Sequence, residues 1–349
     1  MISRHSSQVS TRERARYLRL KNGVSLSPHR GDYLLGLPHR GLLITDRMQV
    51  QIARACDGSK RSEEIAAGLH CELTEVQNFA KFLRSEGFLE ELAEPMAVGS
   101  LDLSTDLIQH RTEIEHSLLT HRSGRSDGGR HEFESRSAAT ILISGENRLA
   151  RNLLVALHAS GFTNTRLIMR GNLAPRFTAS DVCGLVVGND DLGKLRSEFT
   201  AEIIRNSQIT RSAVAAKAQP DLIISTIPIE WDYVQRWMSE GSAHLHINSL
   251  IGPEIEVGPL VLPGQTPCLR CVTLIKRDNG TNIDREFVRS ELPSAALAFI
   301  TGLVALNVGD YFATGKSPLR AASYWYDLLN PMRSPEIRHW NFHPQCGCQ

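Results

Sequence analysis

Four cysteines carry the strongest chemical signal in this 349-residue chain. Cys268 and Cys271 form a C-x-x-C within PCLRC, and Cys346 and Cys348 form a C-x-C at the far end of the sequence. Zinc favours four soft ligands in a tetrahedron, and two short spacings supply two thiolates each. The pattern therefore predicts a four-thiolate Zn2+ site that ties the end of the chain to its middle. His343 stands close enough to Cys346 to replace one cysteine, which leaves a second ligand set open. A site closed by four thiolates has no free coordination position, so it would stabilise the fold and perform no hydrolysis.

The turn Ser144-Gly145-Glu146-Asn147-Arg148-Leu149 is the next place where chemistry could sit, because it joins an apolar run to an apolar helix pattern. A phosphate-binding loop needs several glycines so that backbone amides can approach the phosphates. Here only Gly145 is present, and Glu146 brings a negative charge to the place of a phosphate. Gly145, Glu146 and Asn147 are read as a degenerate nucleotide turn, and ATP is not expected to bind there. His244 and His246 alternate beside Asn248, as metal ligands could, but alternation is also what a strand with one polar face shows. Cys56, Cys71 and Cys183 have no partner at useful spacing and are expected to be structural thiols.

Composition bounds these readings. With 41% hydrophobic and 22% charged residues, the chain can bury a good core and is expected to hold two domains. Its formal charge of +1 creates no field that would draw it to nucleic acid or an anionic membrane. Seven cysteines, and a first segment that is basic and polar without an apolar core, point to a reducing cytoplasm where clustered cysteines hold metal. Residues 295–312 are the most apolar long stretch, but Asn307, Asp310 and two glycines mark a buried helix and not a membrane span.

The elements that must position these residues fall into two groups. Residues 1–21 read as a flexible N-terminus. Short strands are predicted at residues 24–27, 33–35 and 41–45, separated by Pro28, Gly31, Gly36 and Pro38. Helices follow over 47–56, 62–69 and 74–86, then a strand over 88–92. In the third helix Thr74 and Gln77 have the spacing of a capping box, and Val76, Phe79, Ala80 and Leu83 share one face. Three helices with short strands in about seventy residues predict a winged helix-turn-helix. Its third helix exposes Glu75, Gln77, Lys81, Arg84 and Glu86, a mixed set without a basic stripe, so a DNA-binding regulator is the weaker reading.

CDGSKRSEEIAAGL followed by VQNFAKFLRSEGFLEEL resembles the PqqD-like RiPP recognition element, a winged-helix module that binds leader peptides of ribosomally made, modified natural products. The domain is placed at residues 22–94. In that family the leader peptide adds beside the third strand and lies against the third helix. The resemblance thus implies a docking edge of Arg40, Gly41, Leu42, Leu43, Ile44 and Thr45 and a groove wall that includes Val76, Phe79, Lys81 and Phe82. A plain core role for the apolar members of the wall stays open.

Residues 95–137 read as a helix over 101–119 and a hydrophilic linker, SGRSDGGRHEFESR. The second domain, residues 138–349, opens with the strand AATILISG and a helix over 148–160. Strands at 165–169, 184–187, 222–227 and 244–248, with helices at 195–206 and 231–238, imply an α/β fold with a Rossmann-type, mainly parallel sheet. HINSLIGPEIEVGPLVLPGQTPCLRCVTLIKRD, with the ending HPQCGC, resembles the ThiF/MoeB-type ubiquitin-activating-enzyme superfamily. It is more closely similar to the ThiF-like partner proteins of azole-forming YcaO cyclodehydratases. That resemblance implies a structural zinc on the four cysteines and a possible homodimer. Active members carry a glycine-rich loop after the first strand, an acid at the end of the second and an aspartate after a later strand. Glu146 and Asn147, Met169 and Arg170, and Ile227 and Pro228 stand in those places, which implies a lost adenylation site.

Together these readings predict a leader-peptide-binding scaffold that presents a precursor to a separate YcaO-type cyclodehydratase, without catalysis of its own. The alternative is an adenylating ThiF/MoeB-type enzyme with an unorthodox ATP loop. No nucleic-acid or membrane partner is expected.

Overall fold

The computed structural model describes residues 16–93, 95, 115, 120–121, 124–168, 176–207, 219–228, 230–248, 253–280 and 291–348. The chain divides into two compact units, Met1–His131 and Glu132–Gln349.

In the first unit, β1 (Tyr17–Leu20) pairs antiparallel with β5 (Asp57–Arg61) on one side and β6 (Leu89–Leu92) on the other. Residues 17–20 are therefore not part of a flexible terminus. Leu18 enters the core, and Lys21 is buried to 1% exposure with its Nζ donating to the Thr120 carbonyl at 3.0 Å. A second sheet has the order β2-β3-β4, with β2 (Ser25–His29), β3 (Asp32–Leu37) and β4 (Arg40–Ile44) in antiparallel register. Three helices follow, α1 (Arg47–Ala55), α2 (Ser62–Leu69) and α3 (Leu73–Ser85). Asp46 caps α1 by accepting from the Met48 amide at 2.7 Å. The capping box expected from Thr74 and Gln77 is not formed. Leu73 packs against the core and begins α3 one residue earlier, with Glu72 at the N-cap. Ile44, Val50, Ile52, Ile65, Val76, Leu83 and Phe88 form the shared core of both sheets and all three helices. But for residue 115, the helix expected over 101–119 lies outside the described residues.

The second unit is built on a seven-stranded sheet of order β13-β12-β11-β10-β9-β7-β8. Its strands are β7 (Thr140–Ser144), β8 (Asn164–Ile168), β9 (Leu222–Ser225), β10 (His244–Ile247), β11 (Glu254–Val261), β12 (Ala322–Asp327) and β13 (Glu336–His339). The ladders β7–β8, β7–β9 and β9–β10 are parallel, whereas β10–β11, β11–β12 and β12–β13 are antiparallel. The sheet is mixed and not mainly parallel. Only residues 248–253 separate β10 from β11, too few for the crossover that a parallel neighbour requires. Residues 184–187 form no strand, because the Cys183 and Gly184 amides both donate back to the Val187 carbonyl at 3.1 Å and close a tight turn.

Helices α4 (Arg130–Ala138), α5 (Arg148–Ala159), α6 (Arg196–Ser207), α7 (Trp231–Ser239), α8 (Leu269–Asp278) and α9 (Ser294–Thr314) complete the described elements. α4 stands where a hydrophilic linker is expected. Its Arg136 is buried, donates to the Ser160 carbonyl at 2.8 Å and lies over the Phe162 ring at 5.4 Å, so a charged side chain anchors the helix. α9 is long and apolar enough to cross a membrane by composition, yet Leu297, Ile300, Val304 and Val308 pack in the core with Leu153 and Leu154 of α5. Ile300 is fully buried. Truncation by Ile300→Ala is expected to cost about 2–5 kcal/mol. A urea titration followed by circular dichroism should show the transition moving to lower denaturant.

Candidate functional sites

The four cysteines predicted from their spacing come together. Cys268 is the N-cap of α8 and Cys271 lies in its first turn, so one helix start presents both thiols. Val261 at the end of β11 and Phe342 pack around them. Cys268 Sγ lies 3.3 Å from Cys346 Sγ, Cys271 Sγ lies 3.4 Å from Cys348 Sγ, and all four sulfurs fall within 4.8 Å of one another. A tetrahedral ion with bonds of about 2.3 Å to sulfur sets the sulfurs about 3.8 Å apart, so this cluster could hold a metal ion. Burial pushes the Cys268 and Cys346 thiols up, which means that a bound cation would displace protons.

His343 is not needed as a ligand. Its Nε2 pairs with Asp278 Oδ2 at 2.8 Å, its Nδ1 accepts from the Gln345 amide at 3.1 Å, and its backbone N–H donates to Cys271 Sγ at 3.3 Å. It supports the cluster from outside, as residues behind a metal ligand do. Metal analysis of the purified chain is expected to find about one tightly held ion per molecule. Cys271→Ser should lower both the metal content and the melting temperature, and a strong chelator should reproduce that loss in the unmodified chain.

The turn after β7 is packed against the end of β9. Gly145 has φ +134°, and a Cβ there would meet Thr226 Oγ1 at 2.4 Å and the Ile227 side chain at 3.2 Å. The glycine is thus required by a close approach within the protein. Its N–H donates to the Ile168 carbonyl at 3.3 Å. Asn147 turns inward as the N-cap of α5: its Oδ1 accepts from the Ala150 amide at 2.9 Å, and its Nδ2 donates to the Thr226 carbonyl at 2.8 Å. Two backbone donors of this turn, the Gly145 and Ala150 amides, are thus engaged internally. Ile227 lies against the turn, while Met169 and Arg170 lie outside the described residues.

Glu146 is buried, and a network invisible in the sequence surrounds it. Arg151 of α5 donates to the Glu146 carbonyl and bonds Asp181 at 2.6 Å; Arg196 of α6 holds the same carboxylate with bonds of 2.9 and 2.8 Å. Both guanidinium groups lie 5.1 Å from the Phe177 ring. Burial pushes the Glu146 carboxyl up, against the pull of Arg196 and Arg151. Asp181 goes the other way: although burial opposes it, the Thr178 amide and hydroxyl and the two arginines hold its carboxyl below the usual range. Removing one partner from such a buried set strands the others. Asp181→Ala is expected to destabilise the second unit by about 3–5 kcal/mol in chemical denaturation, and Asp181→Asn by less.

His244 and His246 lie on β10 with ring centroids 5.4 Å apart, facing Trp237 of α7. Both are buried, and among the described residues no third ligand joins them. Burial lowers His244 to about 4 from its ordinary 6.5 and pushes His246 well down. A histidine kept neutral in the fold adds stability above pH 6.5 that is lost as the pH falls toward 4. The loss at full protonation is about 3 kcal/mol. Thermal melts across this range should show His244→Gln with a shallower acid limb than the unmodified chain, and the remaining slope should reflect His158 and His246, whose values are also lowered.

In the first unit, β4 is an edge strand among the described residues. Ser25 Oγ donates to the Gly36 carbonyl at 3.4 Å, so that carbonyl faces β2. The Gly36–Gly41 and Leu34–Leu43 pairs are then the non-bonded pairs of the β3–β4 ladder, and Gly41 and Leu43 turn their amides to the open edge. Arg40 lies over the Phe88 ring at 4.6 Å, Leu42 and Ile44 face the core, Leu43 is 56% exposed and Thr45 is exposed. Of the expected groove wall, Val76 and Phe79 are core residues, whereas Lys81 and Phe82 are exposed. Phe79 still touches the groove edge, stacked on Phe82 with centroids 6.4 Å apart.

No family model matches the chain, and no curated protein matches it in sequence. Solved structures do. E. coli MccB with ATP matches at 13% identity and TM-score 0.63, over 95% of this chain and 99% of that one. The microcin C7 biosynthetic enzyme MccB with N-formylated MccA matches at 14% identity and TM-score 0.62, with the same coverage. The heterocyclase TruD matches at 12% identity and TM-score 0.58, over 95% of this chain and 42% of TruD. The likeness is one of fold. It agrees with the ThiF-like fold expected for the second domain.

Proposed function

We propose that this chain is a leader-peptide-binding scaffold that presents a ribosomal precursor peptide to a separate YcaO-type cyclodehydratase, which forms azol(in)e rings. The observation that carries this reading is the contrast between two places in the chain: β4 is an edge strand among the described residues, whereas the turn at Gly145 packs closely against Thr226 and Ile227. In this reading residues 22–94 are the PqqD-like winged-helix module. The leader extends the β2-β3-β4 sheet through Gly41 and Leu43, with Phe82 and Lys81 beside it. The four cysteines hold a structural zinc ion, and the protein works in the cytoplasm as a homodimer.

The solved structures support a role in peptide modification, since MccB is a microcin C7 biosynthetic enzyme that was crystallised with MccA. The heterocyclase TruD points to the same general role, and this chain spans 42% of its length. A second reading, an adenylating enzyme, is favoured by the match to MccB with ATP over 99% of its length.

Two experiments separate these readings. ATP–pyrophosphate exchange by the purified chain with its precursor is expected to stay at background, and robust exchange would overturn the scaffold. Leader binding measured by fluorescence anisotropy is expected to fall at least about tenfold in Leu43→Pro, which removes an outward amide from the edge. Unchanged affinity in a folded Leu43→Pro protein would count against strand addition.

A further inference from the structure

The groove between α1 and α3 shows what a bound peptide must carry. Gln49 stands in the first turn of α1, shortly after the end of β4. Thr74, Glu75, Asn78, Phe79 and Phe82 recur at three- and four-residue spacing along α3 and line the opposite wall. With Glu72 at the N-cap they line an open depression of about 570 Å³. The groove has an aromatic floor and an acidic end. Phe82 is 44% exposed, and its ring stacks on Phe79 with the planes 28° apart. Glu72 is exposed and Glu75 half-buried, and neither has an ion-pair partner among the described residues. Arg84, the basic residue in the last turn of α3, is engaged with Glu91 at 2.5 Å.

We infer that this groove selects an extended peptide bearing a lysine or arginine next to an apolar anchor residue. The anchor covers Phe82, which otherwise leaves aromatic surface in water. The neighbouring cation meets Glu72 and Glu75, whereas an acidic residue there meets like charge. The inference rests on the peptide-capture reading above and adds to it the chemistry by which one leader is preferred over another.

Selection of random twelve-residue peptides by mRNA display, against the immobilised full-length chain, tests this directly. Three variants are run beside it, the double variant Glu72→Lys/Glu75→Lys, Phe82→Asp and Leu43→Pro, each checked for folding by circular dichroism. Peptides enriched on the unmodified chain are expected to place Lys or Arg within two residues of an apolar side chain. The double variant should invert the preference to Asp or Glu, and Phe82→Asp should weaken the enriched peptides about tenfold. Winners without a basic bias, or a bias that charge reversal leaves unchanged, would overturn the inference. If winners lose affinity for Leu43→Pro but show no charge inversion, strand capture stands and this inference falls. If the inversion holds while Leu43→Pro binds normally, the groove stands and strand capture falls. No enrichment at all overturns both.

Discussion

The second unit depends on one close backbone approach, the packing of the first strand's turn on the end of β9. Gly145 meets Thr226 with no room for a Cβ, and Asn147 bridges the same two segments by hydrogen bonds. The contact lets the parallel half of the sheet close at its carboxyl ends, where open α/β folds usually hold a ligand. In this protein Gly145 and Asn147 pack there against Thr226. Glu146 is folded inward, and the arginines that an anion would otherwise attract are bound to Asp181.

The cysteine cluster sits at the opposite half of the same sheet. The antiparallel strands β11 to β13 lead out of the parallel core, and the chain after β13 returns to the start of α8. Two thiols from a helix start and two from the last residues make a junction that hydrophobic packing alone could not pin at so exposed a place, since Cys346 and Cys348 are only half-buried. The charge pattern behind it is also closed. Lys276 on α8 pairs with the buried Glu256 of β11 at 2.8 Å and lies 5.4 Å from the rings of both Trp325 and Trp340.

The first unit has the converse character. Its apolar core sits beside buried Lys21 and Glu90, and among the described residues it leaves a strand edge and an aromatic residue exposed. An open edge is a hazard unless something is meant to cover it. The exposure of Leu34 and Leu43, paired across β3 and β4, places apolar side chains on the same hairpin.

Much of this was legible in the sequence, because the signals were local. Cysteine spacing pointed to the four-cysteine cluster, since ligand pairs on short segments hardly depend on the fold. Periodicity placed α1, α2, α5 and α7 within a residue or two of their ends. What the residues could not show were contacts made at long range. Arg151, Asp181 and Arg196 lie thirty and fifteen residues apart and meet only because two helices and a loop converge. Arg136 looked like linker because its partners, Ser160 and Phe162, come from another element. The sheet's change from parallel to antiparallel, and which amides of β4 stay free, were likewise decided by strand order. Local chemistry is written in neighbouring residues, whereas register and charge pairing are properties of the folded chain.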